Sequence, residues 1–473
     1  MTRSAALASA SDYFHSRKFL ADLTSRVAVR TESADPSAPG LQKYLTDEIA
    51  PALAGIGFTC DMPEPAPGAR NRFLIASRIE DEKLPTILIY GHGDVVPGMD
   101  GQWAEELSPW RVTAKGDRLY GRGTADNKGQ HIINLAALAH VFRTRGGRLG
   151  FNAKLLFEMG EEIGSPELRV FCNARRSDLA ADLLIASDGP RLSQDRPTLF
   201  LGARGILQIR LSVALRPGGH HSGNWGGLLA NPAVILAAAI ASLIDARGRI
   251  LVDALRPPPI PANVRRALAD VEITPGPSEP AIDAGWGEPG LTPAEQLYGW
   301  NSLDVLGISA GDPAHPAGVT RPLNAIPGRA DAVLQLRFVV GTDLTNAEAA
   351  LRAHLDAHGF GAVAASAELL TQATRLDADD PWVHWAAASV KTTTGKTPVI
   401  LPNFGGSLPN DIFVEELGLK TIWVPHSYPG CNQHAPDEHL LGSVAEEGLA
   451  MMTGLFWDLG EGGATPPRPL PPA

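Results

Sequence analysis

Three short apolar runs, each closely followed by a histidine or an acidic residue, constrain the fold of this 473-residue chain more than any other feature. The runs are residues 86–90, 154–157 and 183–186. Apolar and polar residues do not alternate within them, which is typical of parallel strands covered on both faces. His92, Glu161 and Asp188 come next in the chain, so we expect these side chains at the carboxyl ends of buried strands.

Helical patterns separate the runs. Apolar residues between 132 and 142 recur at helical spacing and predict a helix that begins just after Asp126. The same alternation of helical patterns and apolar runs returns later, with a predicted helix over 382–394 and predicted buried strands over 399–401 and 421–424. Strands that alternate with helices predict an α/β sandwich, and such sheets bind ligands at the carboxyl ends of their strands.

A change of pattern in the middle of the chain indicates a second domain. Residues 206–213 and 334–338 alternate between apolar and polar, as strands exposed on one face do. The chain also exceeds the length at which one hydrophobic core keeps growing. The predicted units are an α/β/α domain of residues 1–201 and 375–459, an inserted α+β domain of residues 202–374, and a disordered tail of residues 460–473.

The composition excludes several classes of protein. A net charge of −11 offers no basic face for nucleic acid. The first twenty residues fit neither a secretory signal nor a membrane span, and the longest apolar run, 233–243, is too short to cross a bilayer. Three cysteines give no disulfide framework. We therefore expect a cytoplasmic protein without nucleic-acid or membrane partners.

The acidic and histidine residues meet the needs of a two-metal hydrolase. Attack on an amide needs a hydroxide near neutral pH and a positive charge at the carbonyl oxygen, and two divalent metals about 3.5–4 Å apart supply both. His92 offers a neutral ring nitrogen, and Asp94 is placed to bind the other ring N–H. Asp126, at a glycine-flanked turn, is the candidate bridge. Glu161 and Glu162 are adjacent, so one can bind metal while the other acts as general base.

Asp188 and His434 complete this set, and each member has an ordinary alternative explanation. A histidine after a strand is usually a core or surface residue, paired glutamates usually face solvent, and Asp-Gly usually forms a turn. Cys431 is a further candidate ligand, although a buried cysteine is the favoured interpretation. Because all the segments fall at element boundaries, the set as a whole favours a metal site.

The segments around these residues resemble one group of enzymes. Y-G-H-G-D-V-V-P around His92 and G-R-G-T-A-D-N-K-G around Asp126 resemble the metallopeptidase and deacylase superfamily. This superfamily includes carnosinases, cytosolic non-specific dipeptidase, carboxypeptidase G, acetylornithine deacetylase and succinyl-diaminopimelate desuccinylase. The resemblance covers nearly the whole chain except its termini. It implies that His92, Asp126 and Asp188 hold one metal and that Asp126, Glu162 and His434 hold the other.

The resemblance also implies roles beyond the ligands. It assigns Glu161 as the general base and Asp94 as the residue that orients His92. The inserted domain is expected to act as lid and dimerisation surface. Within it, His221 matches a histidine that reaches into the partner subunit's site and stabilises the oxyanion, with His220 as the neighbouring alternative.

Substrate-binding residues follow from the same resemblance. Arg337 matches an arginine that grips a substrate carboxylate, for which the planar guanidinium is suited. Asn324 and Ser407 match further substrate-contacting positions. An aspartate at position 188 is more common in the peptidase members, whereas H-S-Y-P-G-C-N-Q-H-A-P-D-E-H is closer to the deacylases.

We therefore expect a homodimeric amidohydrolase with two divalent ions per subunit, zinc first and manganese or cobalt as alternatives. The preferred assignment is a dipeptidase or carboxypeptidase that cleaves a peptide or peptide-like amide. The alternatives are an N-acyl amino acid deacylase and an amidohydrolase or deaminase of small non-peptide molecules. A non-catalytic scaffold is disfavoured because neither a ligand nor the base is missing.

Overall fold

An eight-stranded sheet forms the centre of the computed structural model, which describes residues 2–276, 280–312, 315–316 and 324–461. Its strands in spatial order are Thr59–Asp61, Phe73–Arg78, Asn152–Glu158, Thr86–His92, Leu183–Ala186, Thr421–Trp423, Thr198–Phe200 and Val399–Leu401. The third to sixth of these strands run parallel. The predicted buried strands are therefore neighbours in one sheet.

Successive residues of the central strands enter two separate hydrophobic cores. Ile87 and Ile89 pack in the first core, whereas Leu88 and Tyr90 pack in the second. Helices Arg3–His15, Lys18–Ala28, Lys128–Thr144, Pro381–Thr394 and Gly442–Gly460 cover the first core. Helices Leu168–Ala174, Ala262–Leu268, Pro293–Tyr298 and Asn410–Glu415 cover the second. Both faces are covered, as the unalternating runs predict, and the α/β/α architecture is confirmed.

A five-stranded antiparallel sheet forms a second unit. Its strands in spatial order are His315–Pro316, Ser302–Asp312, Arg329–Phe338, Gly205–Ala214 and Ala364–Thr371. One face packs against the helices Pro232–Leu243 and Ala347–Ala357 around a third core. Along Gly205–Ala214, buried residues alternate with more exposed ones, as the sequence pattern predicts. The two-domain fold class is thereby confirmed.

One segment of the predicted inserted domain packs on the central sheet. Val264 and Tyr298, from two short helices, belong to the second core of that sheet. The sequence does not predict these helices, because prolines and glycines between residues 256 and 327 interrupt every periodic pattern. Where the chain enters and leaves the second unit, the Thr374 N–H donates to the Ala203 carbonyl at 3.0 Å. The exact domain limits stay a prediction.

The remaining elements are short. The helical ones are Pro39–Lys43, Tyr44–Ile49, Ala50–Ala54, Glu161–Ile163, Arg176–Leu179, Ser222–Trp225, Asp253–Leu255 and Pro429–Cys431. Two small sheets join His220–His221 to Ala325–Ile326, and His439–Leu441 to Arg118–Tyr120 and Thr113–Lys115. Gly460, the first residue of the predicted tail, ends the last helix, and residues 462–473 lie outside the described residues. Within the described ranges, every helix is too short or too polar to span a membrane.

Candidate metal centre

The candidate ligands meet at the carboxyl ends of the parallel strands. His92 is the last residue of its strand, Glu162 follows the end of Asn152–Glu158, and Asp188 follows Leu183–Ala186. Parallel neighbours end at the same edge of a sheet, so three separate segments deliver their side chains to one place. Because each of these ligands follows its strand in the sequence, pairing of the strands brings the three side chains together.

Two overlapping groups of ligands result. His92, Asp126 and Asp188 form one group, and Asp126, Glu162 and His434 form the other, with the ligand atoms of each group within 4.8 Å of one another. Asp126 Oδ1 lies 3.0 Å from His92 Nε2, and Asp126 Oδ2 lies 3.0 Å from His434 Nε2. The two oxygens of this carboxylate face the two groups, as a bridging ligand requires.

The charge of the site fits divalent cations. Four carboxylates converge on it, namely Asp126, Glu161, Glu162 and Asp188. In the described part of the chain, histidines form ion pairs with three of them, and no lysine or arginine pairs with any of the four. Buried charges need compensation because their desolvation is costly. Nitrogen and oxygen donors around excess negative charge are what zinc, manganese or cobalt bind.

The proton affinities of the ligands reflect the same excess charge. Burial alone would lower the pKa of His92, but the Asp126 and Asp188 carboxylates raise it well above its usual range. Hydrogen bonds to Asp126 and Glu162 raise the pKa of His434 to about 11. Burial, followed by the charge of Asp126, raises the pKa of Glu162 to about 7. Bound cations would neutralise the charge that causes these shifts.

Asp94 contacts both a ligand and the paired glutamates. Its Oδ1 lies 3.3 Å from His92 Nδ1, the contact that the sequence predicts. The same carboxylate accepts the backbone N–H groups of Glu161 at 3.2 Å and Glu162 at 3.1 Å. One buried side chain therefore contacts His92 and fixes the turn that carries the glutamates, and the role of Asp94 in orienting His92 stays a prediction. The second contact depends on the path of the chain, and the sequence does not show it.

A cavity of about 330 Å³ opens beside the ligands. Glu161, Asp188 and His434 line it, together with Phe404 and Gln433, which the sequence analysis missed. The side-chain amide of Gln433 donates to Asp126 Oδ2. Its position directly before His434 is the signal that could have identified it. The cavity gives a small molecule access to both ligand groups.

Two of the predicted substrate-binding residues meet beside this cavity. Arg337 lies on the strand Arg329–Phe338 of the second unit, and its Nη1 donates to Ser407 Oγ at 2.7 Å. Ser407 itself lines the cavity. The Arg337 Nε also donates to Gln335 at 3.0 Å, which holds the guanidinium in place. This pair joins the second unit to the central unit next to the ligands.

Asn324, the third predicted substrate-binding residue, lies beside His221 elsewhere in the second unit. His221 pairs with Ala325, and the Ser222 N–H donates to the Asn324 carbonyl at 2.9 Å. His221 is exposed, and its Nδ1 accepts the N–H of Gly223. Neither His221 nor Asn324 is among the described residues that line the cavity. Their predicted roles stay predictions.

A bridging carboxylate between two histidine-containing ligand groups, held at the edge of a parallel sheet, is the architecture of metal-dependent hydrolases. The second unit contacts the rim of the cavity through the hydrogen bond from Arg337 to Ser407. The fold and the site thus define a two-domain metallohydrolase.

Comparisons with known proteins narrow this class. Residues 88–458 match Peptidase family M20/M25/M40, and the chain belongs to that family. Beta-Ala-His dipeptidase of Rattus norvegicus is 26% identical over 470 residues, covering 94% of this chain and 93% of that protein. Cys-Gly metallodipeptidase DUG1 of Candida albicans is 29% identical over 252 residues, covering 50% and 51%. The solved M20 family metallo-carboxypeptidase Sso-CP2 of Sulfolobus solfataricus shares 25% identity at a TM-score of 0.76, covering 94% and 99%. The expected family and enzyme class are confirmed.

Proposed function

We propose that the protein is a dipeptidase or carboxypeptidase that uses two metal ions per subunit. The observation that carries this proposal is Asp126, whose two oxygens face His92 and His434 at 3.0 Å each. The names of similar proteins support the substrate class, since they include two dipeptidases and a metallo-carboxypeptidase.

The two ligand groups divide the ions between them. His92, Asp126 and Asp188 hold one ion, and Asp126, Glu162 and His434 hold the other. When bound, the ions supply Lewis-acid polarisation of the substrate carbonyl and make water easier to deprotonate. Zinc is the first candidate for this mixed nitrogen and oxygen set, with manganese and cobalt as alternatives.

Glu161 acts as general base and then as general acid. Its carboxylate lines the cavity and lies outside both ligand groups, so it is free to exchange protons. Burial raises the pKa of Glu161 well above its usual range, and the charge of Asp188 adds to this. The Glu161 carboxylate takes one proton from the attacking water and returns it to the leaving nitrogen. The products are then a carboxylic acid and a free amine.

Arg337 and Ser407 bind the carboxylate at the end of the substrate. The guanidinium presents paired N–H donors that match the two oxygens of a carboxylate. Its hydrogen bond to Ser407 supports this placement beside the cavity. Substrates with a free C-terminus are therefore preferred.

His221 serves the partner subunit of a homodimer formed through the second unit, and Asn324 contacts the substrate. The exposed position of His221, away from the cavity of its own chain, supports this role. In the partner's site the His221 imidazole donates a hydrogen bond to the oxyanion.

A cytoplasmic location fits the chemistry of the cysteines. Cys60, Cys172 and Cys431 are all free. Free thiols without a disulfide framework are usual in reducing compartments.

A hydrolysis screen tests the proposed function. The metal-reconstituted protein is offered dipeptides, dipeptide amides and N-acyl amino acids, and the released amine is measured. The highest kcat/KM is expected for dipeptides with a free C-terminus. Preference for N-acyl amino acids would assign the deacylase alternative, and no hydrolysis of any substrate by protein with bound ions would overturn the proposal.

A further inference from the structure

The segment that carries His434 has an unusual backbone. Asn432, His434 and Asp437 have φ angles of 55°, 62° and 63°, which lie in the left-handed region. Residues other than glycine enter this region at an energetic cost and stay there only when their surroundings hold them. Packing does not hold the His434 side chain, which is 54% exposed. Other contacts must fix this segment.

Gln433 donates to Asp126, the Ala104 N–H donates to Asp437 at 2.9 Å, and Glu438 makes the buried contacts of the segment. The Glu438 side chain is 1% exposed, and its Oε2 accepts Arg122 Nη1 at 2.8 Å and the Gly123 N–H at 3.1 Å. Its Oε1 accepts the N–H groups of Ala125 at 2.9 Å and Asp126 at 3.1 Å. Four donors, one of them charged, surround one carboxylate. Hydrogen bonds to ionised groups are stronger than neutral ones, so this junction is firm.

Backbone pairing extends the junction. The Gly121 N–H donates to the Glu438 carbonyl at 3.0 Å, and the strand His439–Leu441 pairs with Arg118–Tyr120. The chain around Glu438 and the loop that leads to Asp126 therefore form one hydrogen-bonded unit, although they lie far apart in the sequence.

The two ligand groups depend on this unit to different degrees. His92 and Asp188 are carried by the strands Thr86–His92 and Leu183–Ala186 of the central sheet. His434 is carried by the left-handed segment, and Glu438 fixes the distal end of that segment. A change at Glu438 should therefore release His434 and leave His92 and Asp188 in place. Asp126, which belongs to both groups and donates its N–H to Glu438, loses part of its support in each.

We propose that Glu438 is a positioning residue that latches the His434 segment onto the Asp126 loop and so maintains the second metal site. This inference rests on the proposed two-metal function. Without a full carboxylate, the buried donors lose an acceptor and the segment relaxes towards ordinary φ angles. His434 then moves away from Asp126 and Glu162, and the second ion is bound weakly.

Glu80 offers a matched control at the opposite end of the central strands. Its side chain is 5% exposed, and it pairs with Arg78 at 2.9 Å. It also accepts the N–H groups of Leu149 at 2.7 Å and Gly150 at 2.9 Å. Glu80→Gln thus removes the same kind of buried carboxylate without touching either ligand group.

Calorimetric titration of the metal-free proteins with Zn²⁺ tests the latch, that is, the contacts by which Glu438 holds the His434 segment on the Asp126 loop. Wild type and Glu80→Gln are expected to bind two equivalents, whereas Glu438→Gln binds one equivalent tightly and the second at least about tenfold more weakly. A folded Glu438→Gln variant with two sites of wild-type affinity would overturn the latch, even if its Tm were lower. Fewer than two equivalents in wild type would overturn the two-metal proposal instead, so the two failures are distinguishable.

A second variant and a second readout distinguish specific weakening of the second metal site from a general folding defect. Glu438→Asp keeps the charge for Arg122 but shortens the side chain, and intermediate weakening of the second site is expected. The activity of both Glu438 variants should recover as the Zn²⁺ concentration is raised, which a purely structural defect would not show. Activity of Glu80→Gln should depend on Zn²⁺ as wild type does. Wild-type metal dependence in Glu438→Asp would overturn the latch.

Discussion

The central unit and the second unit hold their predicted functional residues in opposite ways. In the central unit, His92 and Asp188 are 0% and 3% exposed at the ends of buried strands. In the second unit, His221 is exposed, and Arg337 lies on a strand whose residues are buried only alternately. A parallel sheet covered on both faces fixes its strand ends, whereas a one-sided sheet gives its edges and loops to solvent. The proposed function therefore places the metal ligands and the base on the rigid unit and draws only Arg337, Asn324 and His221 from the more exposed one.

Removal of the metal should have the largest effect on hydrolysis, because the proposed metal ligands all lie in the central unit. Dialysis against a chelator is expected to abolish hydrolysis, because the central carboxylates then hold no Lewis acid. Addition of zinc, cobalt or manganese should restore activity, measured against metal content by elemental analysis. Full activity in protein shown to be free of metal would contradict a metal-dependent reaction in the central unit.

Glu161→Gln should have the next largest effect. The variant loses the base but no ligand, so kcat is expected to fall about 10²–10⁴-fold with two metal equivalents retained. Glu167→Gln, an exposed glutamate close by in the chain, is the control and should leave kcat unchanged. Loss of one metal equivalent in Glu161→Gln would instead show that Glu161 and Glu162 have exchanged roles.

His221→Ala tests whether the second unit takes part in chemistry. Loss of an oxyanion donor is expected to lower kcat about 10²–10³-fold while metal content stays the same. His358→Ala removes another exposed histidine of the second unit and should have no such effect. Unchanged kcat in His221→Ala would confine the chemistry to the central unit.

Mixed dimers sharpen the same test. His221→Ala chains and Glu161→Gln chains are each expected to be nearly inactive alone. If His221 serves the partner subunit, one site of each heterodimer receives both intact residues, and activity should return to up to half the wild-type level per dimer. Heterodimers that form but stay inactive would assign His221 to its own subunit or to no catalytic role.

Arg337→Ala should have the smallest effect on rate and the clearest effect on selectivity. A lost charge-assisted bond is expected to raise KM for substrates with a free carboxylate about 10- to 100-fold. The amides of the same substrates should change little. Arg329→Ala, on the same strand and paired with Asp331, is the control. Equal losses on acids and amides would show that Arg337 does not bind the carboxylate.

The central unit could be predicted closely because local patterns determine it. The run 86–90 becomes the strand Thr86–His92, and the helix expected after Asp126 begins at Lys128. Where both faces of a strand are covered, the side chains must be apolar throughout, so the pattern is visible without knowledge of the neighbours. His92, Glu162 and Asp188 end or follow such strands and Asp126 precedes a helix, so the sequence marks these four candidate ligands, whereas His434 lies at neither kind of boundary.

Features that depend on distant contacts could not be predicted. The strand Ser302–Asp312 lies in a segment rich in proline and glycine, where no period is visible. The bonds from Glu161 and Glu162 to Asp94 use backbone N–H groups, which every residue type offers. Gln433 reaches Asp126 only because the C-terminal segment folds back over the site. The type of a residue does not show which distant residue it will contact.

The central sheet is built from two distant stretches of sequence, and this affects how the chain folds while it is being synthesised. Leu184 pairs with Thr421 and Ala186 with Trp423, on opposite sides of the second unit in sequence. Until the later strand is synthesised, the strand Leu183–Ala186 presents an unpaired apolar edge to other nascent chains. Pairing between such distant strands is slow, since the intervening loop must close first. Slower translation of the second unit would therefore lengthen the time for which this edge can pair with other chains.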